Sequence, residues 1–229
     1  MKTIGLLGGT GWSSTIDYYR MLNQLVNDRL GGYHSAKILL KSIDYHFIMS
    51  HYGKDHHQVA DALYEELTGL IALKPDCILI CCNSLHKYYD LIQERLNSSI
   101  PIIHALDLVA QYAQQKKYSK VLLLATKFTM EDGFFEKKIE EAGVDVMIPT
   151  LEERDKMQAI HAELMQNVVT DAAKKYFSAL IRSYKEKGAE AVMLGCTEYP
   201  LVVHQDHSAL PIIDPVRLQT AKAVEYALG

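Results

Sequence analysis

The feature that most constrains the fold of this chain is an apolar segment that ends in a cysteine and small polar residues, and it occurs twice. The first copy is DCILICCNSLH at Asp76–His86, and the second is AEAVMLGCTEYP at Ala189–Pro200. A strand that is buried on both faces reads as a continuous apolar run, and residues at its carboxyl end face the crevice where open α/β sheets bind ligands. The sequence therefore predicts two buried strands that present Cys82 and Cys196 to a cleft.

The spacing of two further strands indicates an internal duplication. Strands at Ile4 and Val121 open the two halves of the chain and are 117 positions apart, and Cys82 and Cys196 are 114 positions apart. Because strands alternate with helices in both halves, each half is expected to form a mainly parallel sheet flanked by helices. We predict an α/β fold of two pseudosymmetric domains with the active site in the interdomain cleft.

The predicted domains are 1–104 together with 215–229, and 105–214, because the final helix, Val216–Leu228, is expected to pack on the amino-terminal domain. Apolar periodicity predicts the other elements of both domains. Helices are expected over about 16–30, 58–73, 86–96, 106–117, 130–142, 152–166 and 170–187, and further strands over 37–43, 100–104 and 144–149.

The first helix is predicted from its ends and its apolar stripe. Ser13 or Ser14 can cap it, Asp17 suits its positive end, and Gly31 can end it. The predicted stripe consists of Ile16, Tyr19, Val26 and Leu30.

Composition favours small-molecule chemistry in a reducing compartment. The net charge of the 229 residues is −4 and the basic residues are scattered, which argues against a nucleic-acid partner. No apolar run approaches about 18 residues, and the amino terminus breaks into glycines too early for a signal peptide, so we expect no membrane segment and a cytoplasmic protein. Four cysteines, three of them crowded on one strand, do not resemble a secreted disulfide framework.

Two thiols at equivalent strand ends suit the inversion of a carbon centre by proton transfer. Inversion needs a base on one face and an acid on the other, and identical groups can exchange these roles in the reverse direction. Thiols titrate near about pH 8.5 and are shifted by nearby donors. The side chains and backbone N–H groups beside the cysteines can hold a substrate carboxylate. The candidate residues are Asn83, Ser84 and Thr197, with Gly9, Thr10 and Thr126 at neighbouring strand tips.

Several motifs resemble the aspartate/glutamate racemase family, the cofactor-independent amino-acid racemases, and the resemblance runs nearly end to end. The matching segments are IGLLGGTGWSST at 4–15, GG-x-HSA at 31–36, S-x-D at 42–44, CNSLH at 82–86, TKFTM at 126–130, EER-x-K at 152–156, LGCTE at 194–198 and PIID at 211–214. CNSLH and LGCTE together are highly specific.

The resemblance implies a fold of two α/β domains, a homodimer and racemisation of aspartate or glutamate without a cofactor or metal. It implies that Cys82 and Cys196 are the acid/base pair and suggests that Cys196 takes the α-proton of the L-enantiomer. It also implies a substrate held by Asn83, Ser84, Thr126 and Thr197, and Glu198 is characteristic of the amino-acid racemase branch. We include Glu198 among the predicted substrate-binding residues.

The chain departs from the family pattern at three places. Ser84 and Leu85 stand where threonine and methionine are common, although Ser84 keeps a hydroxyl. Thr10 replaces a common methionine. The segment after Asp44 lacks the arginine or glutamine that is expected to bind the side-chain carboxylate of an acidic substrate. The preferred amino acid therefore stays open.

Structural roles are the alternative for several of these residues. Cys77 and Cys81 are expected to be core residues, Glu198 could cap a helix or form a salt bridge, and His86 could tune the Cys82 thiol or bond to the helix. Turn or cap roles are the alternative for Thr10, Thr126 and Thr129. Solvent exposure is the more common state of a charged helix start such as Arg154 and Lys156 and of loop histidines. We therefore predict no metal at the loop containing His51, Asp55, His56 and His57.

Other functions remain as alternatives. Gly9-x-Gly11 after a strand, with Asp44 ending the next, resembles a dinucleotide site, but Ser14 holds the third glycine position. An amino-acid binding module would share the architecture without needing thiols. A single-cysteine isomerase, such as a hydantoin racemase or a maleate isomerase, is the most serious alternative.

Overall fold

The computed structural model describes residues 1–166 and 168–229 and divides the chain into two compact units. The first comprises residues 1–105 and 216–229, and the second comprises residues 106–215. The strands are β1 Ile4–Gly8, β2 Ile38–Ser42, β3 Cys77–Ile80, β4 Lys120–Leu124, β5 Asp145–Met147, β6 Ala191–Leu194 and β7 Ile212–Ile213. The helices are α1 Trp12–Leu30, α2 His46–His51, α3 His56–Ile71, α4 His86–Leu96, α5 Ala105–Gln115, α6 Lys127–Asp132, α7 Phe134–Glu140, α8 Leu151–Leu164, α9 Asp171–Glu186 and α10 Pro215–Leu228.

The sheet of the first unit has the order β2-β1-β3, and both pairings are parallel. Ile4 pairs with Ile38 on one side and with Cys77 on the other. Every residue of β1 and β3 is buried, as expected for strands whose apolar runs are uninterrupted. Gly8 and Ile80 therefore end their strands at the same edge of this sheet.

The sheet of the second unit repeats this order and adds one strand. Its order is β5-β4-β6-β7, with all pairings parallel. β4, β5 and β6 occupy the places that β1, β2 and β3 occupy in the first unit. The predicted α/β fold of two parallel sheets flanked by helices is confirmed, and the matched strand orders agree with a duplicated chain.

The segment predicted as a strand over 100–104 forms only an isolated bridge, between Ile78 and Ile102. Backbone bonds join Ile78 N to the Pro101 carbonyl and Ile103 N to the Ile78 carbonyl, each at 2.9 Å. Proline has no N–H with which to extend a ladder, so the pairing stays short. The equivalent position beside β6 is occupied by β7, a strand that the sequence analysis did not predict.

Helix α1 begins and packs differently from the prediction. It starts at Trp12 after Gly11, which has a left-handed φ of 109°, and no side chain caps it; Ser14 Oγ instead bonds to the Gly11 carbonyl. Asp17 lies beyond the first turn. Ile16, Tyr19 and Leu30 are exposed, so the predicted stripe is wrong except for Val26. The buried stripe consists of Ser14, Thr15, Tyr18, Leu22 and Val26.

Helix α3 has the predicted apolar stripe, and α10 packs against the same unit as β1. Val59, Leu63, Leu67 and Leu70 are all buried. The α10 residues Val216, Ala223, Val224 and Ala227 share one core cluster with Ile4, Leu6, Tyr18 and Leu22. A bond from Lys2 N to the Ala227 carbonyl joins this helix to the chain just before β1.

The helix predicted over 130–142 is divided into α6 and α7 at Gly133. That glycine has φ 77° and serves as the C-cap of one helix and the N-cap of the next. Left-handed conformations are readily adopted by glycine, so a helix can end there at little cost. The predicted helices over 152–166 and 170–187 are present as α8 and α9. None of the helices in the described part of the chain is long and apolar enough to cross a membrane.

Candidate active site

The loop after β1 lies against the end of β3 in the first unit. Gly9 has φ 85°, and a Cβ atom there would lie 2.2 Å from the Ile43 carbonyl oxygen, so no other residue fits. Thr10 is buried and its hydroxyl donates a 3.0 Å hydrogen bond to the Cys81 carbonyl. The glycine loop is thereby fixed beside Cys82.

Cys82 follows β3 and begins a short 3-10 helix over Asn83–Leu85. Its side chain is partly exposed, and its sulfur lies 3.6 Å from the Tyr45 hydroxyl and 3.4 Å from the Ser84 hydroxyl. Burial and the neighbouring Cys82 raise the pKa of Tyr45 well above its ordinary value, so this hydroxyl keeps its proton. Two hydroxyl groups can therefore donate to a thiolate at Cys82. Asn83 is buried beside it.

His86 holds the backbone of this loop rather than the thiol. Its Nδ1 lies 3.1 Å from both the Cys82 and the Asn83 carbonyl oxygens, and its Nε2 lies 3.3 Å from Gln219 Nε2. Gln219 also donates to the Ile103 carbonyl at 2.7 Å and accepts from Tyr18. A neutral ring with its proton on Nδ1 satisfies both contacts. Burial, with a smaller effect of His104, lowers the pKa of His86 to about 3.

The second unit surrounds Cys196 with different groups. The Cys196 thiol donates to Glu198 Oε2 at 2.9 Å, and the Thr197 hydroxyl donates to the same oxygen at 3.1 Å. His161, on α8, faces this oxygen with its Nε2 at 3.8 Å. Cys196 and Glu198 are each only 6% exposed. A carboxylate, a thiol and an imidazole thus meet at one point of this unit.

Glu198 carries its charge in spite of burial. Burial alone would raise its pKa, but the contacts with its three neighbours outweigh that effect and the pKa lies below its ordinary value. Its side chain does not cap the 3-10 helix that follows it, so of the two structural alternatives the contact with His161 is the one observed. Burial, Cys196 and Glu198 raise the pKa of Tyr199 well above normal, and its hydroxyl donates to the Ala125 carbonyl at 3.0 Å.

Thr126 has the structural role considered as its alternative. It is the N-cap of α6, its oxygen accepts from Thr129 N at 3.3 Å, and the two hydroxyl oxygens are 2.9 Å apart. It lies two residues after the end of β4, whereas Gly9 comes immediately after β1. Lys156, by contrast, is exposed and its ammonium lies 4.4 Å from the centroid of the Tyr176 ring.

Cys77 and Cys81 are core residues, as predicted. Both are fully buried within the cluster that contains Ile4 and Leu6. Burial raises the pKa of Cys77 to about 11 and raises that of Cys81 further, so neither is a thiolate near neutral pH.

The histidines near His51 have separate structural roles. Asp55 caps α3 by accepting from His57 N and Gln58 N, and His56 bonds to the Tyr88 hydroxyl at 3.0 Å. His51 Nδ1 contacts the Phe47 carbonyl at 2.9 Å. His51 and His56 both lie in helices, so the predicted polar loop is shorter than expected.

Comparison with known proteins assigns the chain to a protein family. The profile of the Asp/Glu/hydantoin racemases matches residues 7–223. The chain belongs to this family. The predicted family is therefore confirmed, and with it the assignment to enzymes of the racemase class.

Individual racemase-family members resemble the chain over nearly its whole length. The broad-specificity amino-acid racemase RacX of Bacillus subtilis is 25% identical in an alignment of 231 positions, gaps included, that covers 92% of each chain. Among solved structures, a putative Asp/Glu racemase from Yersinia pestis has 34% sequence identity to the chain and a TM-score of 0.90. An aspartate racemase homologue from Pyrococcus horikoshii has 30% sequence identity and a TM-score of 0.87. Both structures match 100% of each chain.

The predicted site residues of this racemase-family chain fall into two groups. Gly9, Thr10, Cys82, Asn83 and Ser84 belong to the first unit. The second unit contains Thr126, Cys196, Thr197 and Glu198. Sequence reasoning missed Tyr45, which follows the S-x-D motif, and His161, which lies 35 positions before Cys196 on a different element.

Proposed function

We propose that this chain racemises an acidic amino acid, aspartate or glutamate, without a cofactor, and that Cys82 and Cys196 exchange the proton at the α-carbon. One observation carries the proposal. The strands β3 and β6 occupy equivalent places in the two sheets, and each is followed by a cysteine. The sulfur of Cys82 contacts the Tyr45 hydroxyl, and that of Cys196 contacts the Glu198 carboxylate. Membership of the racemase family supports the reaction type.

The different surroundings of the two sulfurs support a division of roles in the resting enzyme. The hydroxyl groups of Tyr45 and Ser84 can donate hydrogen bonds to a thiolate at Cys82. At Cys196 the thiol donates to the Glu198 carboxylate, and this negative charge favours the protonated sulfur. In this resting form Cys82 removes the α-proton from one enantiomer and Cys196 protonates the opposite face of the carbanion. The reverse reaction starts from the alternate form, with the thiolate at Cys196.

The α-carboxylate of the substrate needs donors that stabilise the charge formed when the α-proton leaves. The proposed substrate-binding groups are Asn83, Ser84, Thr126 and Thr197, together with the backbone N–H groups of the Gly9–Thr10 loop. Because each hydroxyl has one proton, Ser84 and Thr197 turn from Cys82 and Glu198 to the substrate when it binds. Aspartate and glutamate are the first candidates by family resemblance. The broad specificity named for the Bacillus subtilis relative is a reason to test a full amino-acid panel.

The activity is tested with purified protein treated with a chelator and assayed by chiral chromatography on each proteinogenic amino acid, without pyridoxal phosphate or nucleotide. We expect conversion of aspartate or glutamate in both directions. Absence of turnover with every amino acid would contradict the proposal. Light scattering on the same preparation tests the homodimer that we also propose, and a monomeric mass at assay concentration would contradict it.

The mechanism is tested with Cys82→Ala and Cys196→Ala, with Cys77→Ala as the matched control at a buried cysteine outside the site. General acid–base groups contribute about 10²–10⁴-fold each, so either site variant should lose racemisation by at least that factor. Cys77→Ala should remain active. In D₂O, each site variant should exchange the α-proton of one enantiomer without inversion, and the two variants should act on opposite enantiomers. From the family resemblance, we expect Cys82→Ala to exchange the L-enantiomer through Cys196.

The related single-cysteine isomerase is the second candidate, since the matching family also includes hydantoin racemases. It predicts that Cys82→Ala or Cys196→Ala keeps full activity, or that both variants exchange the same enantiomer. Either result would replace the two-cysteine mechanism. A non-catalytic binding module predicts amino-acid binding that survives alkylation of both thiols, with no exchange in D₂O.

A further inference from the structure

We propose that His161, Cys196 and Glu198 form a binding site for Zn²⁺ or a similar transition-metal ion, and that this ion reversibly inhibits the enzyme. Among the residues that the structure describes, these three each offer a ligand atom, and the three atoms all lie within 4.8 Å of one another. The site is formed entirely within the second unit. Metal binding is independent of the proposed function, whereas the inhibition rests on the proposed function.

The two separations that involve Glu198 are close to those of a tetrahedral zinc site, and the third, between Cys196 and His161, is within 4.8 Å. Zinc bonds are about 2.3 Å to sulfur and about 2.0–2.2 Å to nitrogen and oxygen, which places neighbouring ligands about 3.3–3.7 Å apart. Here the sulfur of Cys196 is 2.9 Å from Glu198 Oε2, and that oxygen is 3.8 Å from His161 Nε2. Shifts of less than about 1 Å would bring these pairs to tetrahedral spacing.

The chemistry of the donor set selects the ion. A thiolate, an imidazole and a carboxylate suit zinc and cobalt, whereas magnesium and calcium prefer sites made of oxygen ligands alone. Three protein ligands leave a fourth tetrahedral position for water. The Thr197 hydroxyl, which donates to Glu198 at 3.1 Å, is placed to orient the carboxylate from outside the ligand set.

Binding requires one proton to leave. The Cys196 thiol releases its proton to solvent and its sulfur donates an electron pair to the metal. His161 binds as the neutral ring, with its proton on Nδ1 and the lone pair of Nε2 on the metal, and Glu198 is already a carboxylate. A metal-bound sulfur can neither accept nor deliver the α-proton of a substrate. The filled site therefore blocks the step assigned to Cys196.

The binding test uses Co²⁺ as a spectroscopic probe of the chelator-treated wild-type protein. One equivalent should produce a thiolate-to-cobalt charge-transfer band in the near ultraviolet and the visible bands of tetrahedral cobalt, and Zn²⁺ should displace both. Cys196→Ser should lose the charge-transfer band. His161→Ala should weaken cobalt binding by at least about 10–100-fold. His204→Ala, at an exposed histidine of the same unit, and Cys82→Ala should bind cobalt as the wild type does.

Circular dichroism identifies the variants that fold. If His161→Ala does not fold, His161→Gln takes its place. The site is disproved if stoichiometric cobalt gives no charge-transfer band, or if the band depends on Cys82 instead of Cys196. It is also disproved if the folded His161 variant binds cobalt as tightly as the wild type. These optical measurements need no turnover, so they hold even if the racemase proposal fails.

Inhibition is measured separately, by adding Zn²⁺ and then a chelator to enzyme that racemises its substrate. Activity should fall with Zn²⁺ and return with the chelator, while Mg²⁺ should have no effect. The remaining activity of the His161 variant should need a correspondingly higher Zn²⁺ concentration for half inhibition. Full activity with the cobalt-filled site would overturn the inhibitory role and leave the binding site in place.

Discussion

Acidification should destabilise the first unit through His86. This histidine is fully buried, and its ring bonds to the Cys82 and Asn83 carbonyl groups and to Gln219. The neighbouring titratable groups are His104, whose ring centroid lies 4.5 Å away, and Asp90. Protonation would place a charge where Gln219 already offers an N–H, so the folded unit keeps the ring neutral.

The size of the effect follows from proton linkage. The pKa of His86 is about 3 in the folded protein, and that of an unfolded histidine is about 6.5. The unfolded chain therefore binds more protons between these values, and the free energy of unfolding falls as the pH falls through this window. The full difference corresponds to about 5 kcal/mol, of which about 2 kcal/mol is lost between about pH 7 and pH 5.

Urea unfolding at a series of pH values measures this loss, followed by circular dichroism and by the fluorescence of Trp12, the one tryptophan of the chain, which lies in the first unit. His86→Gln cannot titrate in this range. It should be less stable than the wild type near neutral pH because it loses ring contacts. Its free energy of unfolding should nevertheless fall by about 2 kcal/mol less on acidification to about pH 5.

His57→Gln, at an exposed histidine of the same unit, is the matched control and should keep the wild-type pH dependence. Carboxyl groups that do not interact with the substituted histidine contribute equally to the wild type and to the variant, so they cancel in the comparison. If His86→Gln shows the same pH dependence as the wild type, the buried neutral ring is not the cause and the argument is refuted.

Three further results are expected. Thr150→Ala should lower the free energy of unfolding by about 1 kcal/mol in urea titrations, since it removes the capping box of α8, whereas Thr150→Ser should not. Gly9→Ala should lower both stability and turnover, because its Cβ would meet the Ile43 carbonyl; a variant as stable as the wild type would contradict the geometry. Glu198→Gln should reduce kcat by about tenfold or more by removing the charge beside Cys196, and an unchanged kcat in both directions would exclude this role.

Much of the fold could be predicted because several of its strands are uninterrupted apolar segments of the sequence. β3 and β6 are continuous apolar runs, and parallel sheets bury such strands on both faces. Helix α4 has the predicted bounds, His86–Leu96, because a 3-10 turn precedes it and Asn97, in the left-handed conformation, follows it. Cys82 and Cys196 could be found for the same reason, since each lies two residues after the end of such a strand.

The sequence predictions were wrong or incomplete where backbone hydrogen bonds, a single glycine or tertiary packing decided the structure. The buried face of α1 includes the polar residues Ser14 and Thr15, whose hydroxyl groups bond to backbone atoms of the glycine loop, so an apolar stripe could not reveal it. Gly133 interrupts a helix whose residues are otherwise compatible with one continuous segment. His161 joins Cys196 only through packing of α8 in the second unit, and no spacing in the sequence encodes that contact.

The unequal surroundings of the two cysteines are compatible with a reaction that has no preferred direction. Enantiomers in water have equal free energies, so the ratio kcat/KM must be the same for both directions whatever the enzyme does. That equality leaves kcat and KM free to differ between the enantiomers, and the Glu198 carboxylate at Cys196 has no counterpart among the contacts observed at Cys82. Duplication thus accounts for the matched positions of the two sulfurs, and later divergence of the residues around them accounts for which one holds the proton in the proposed resting state.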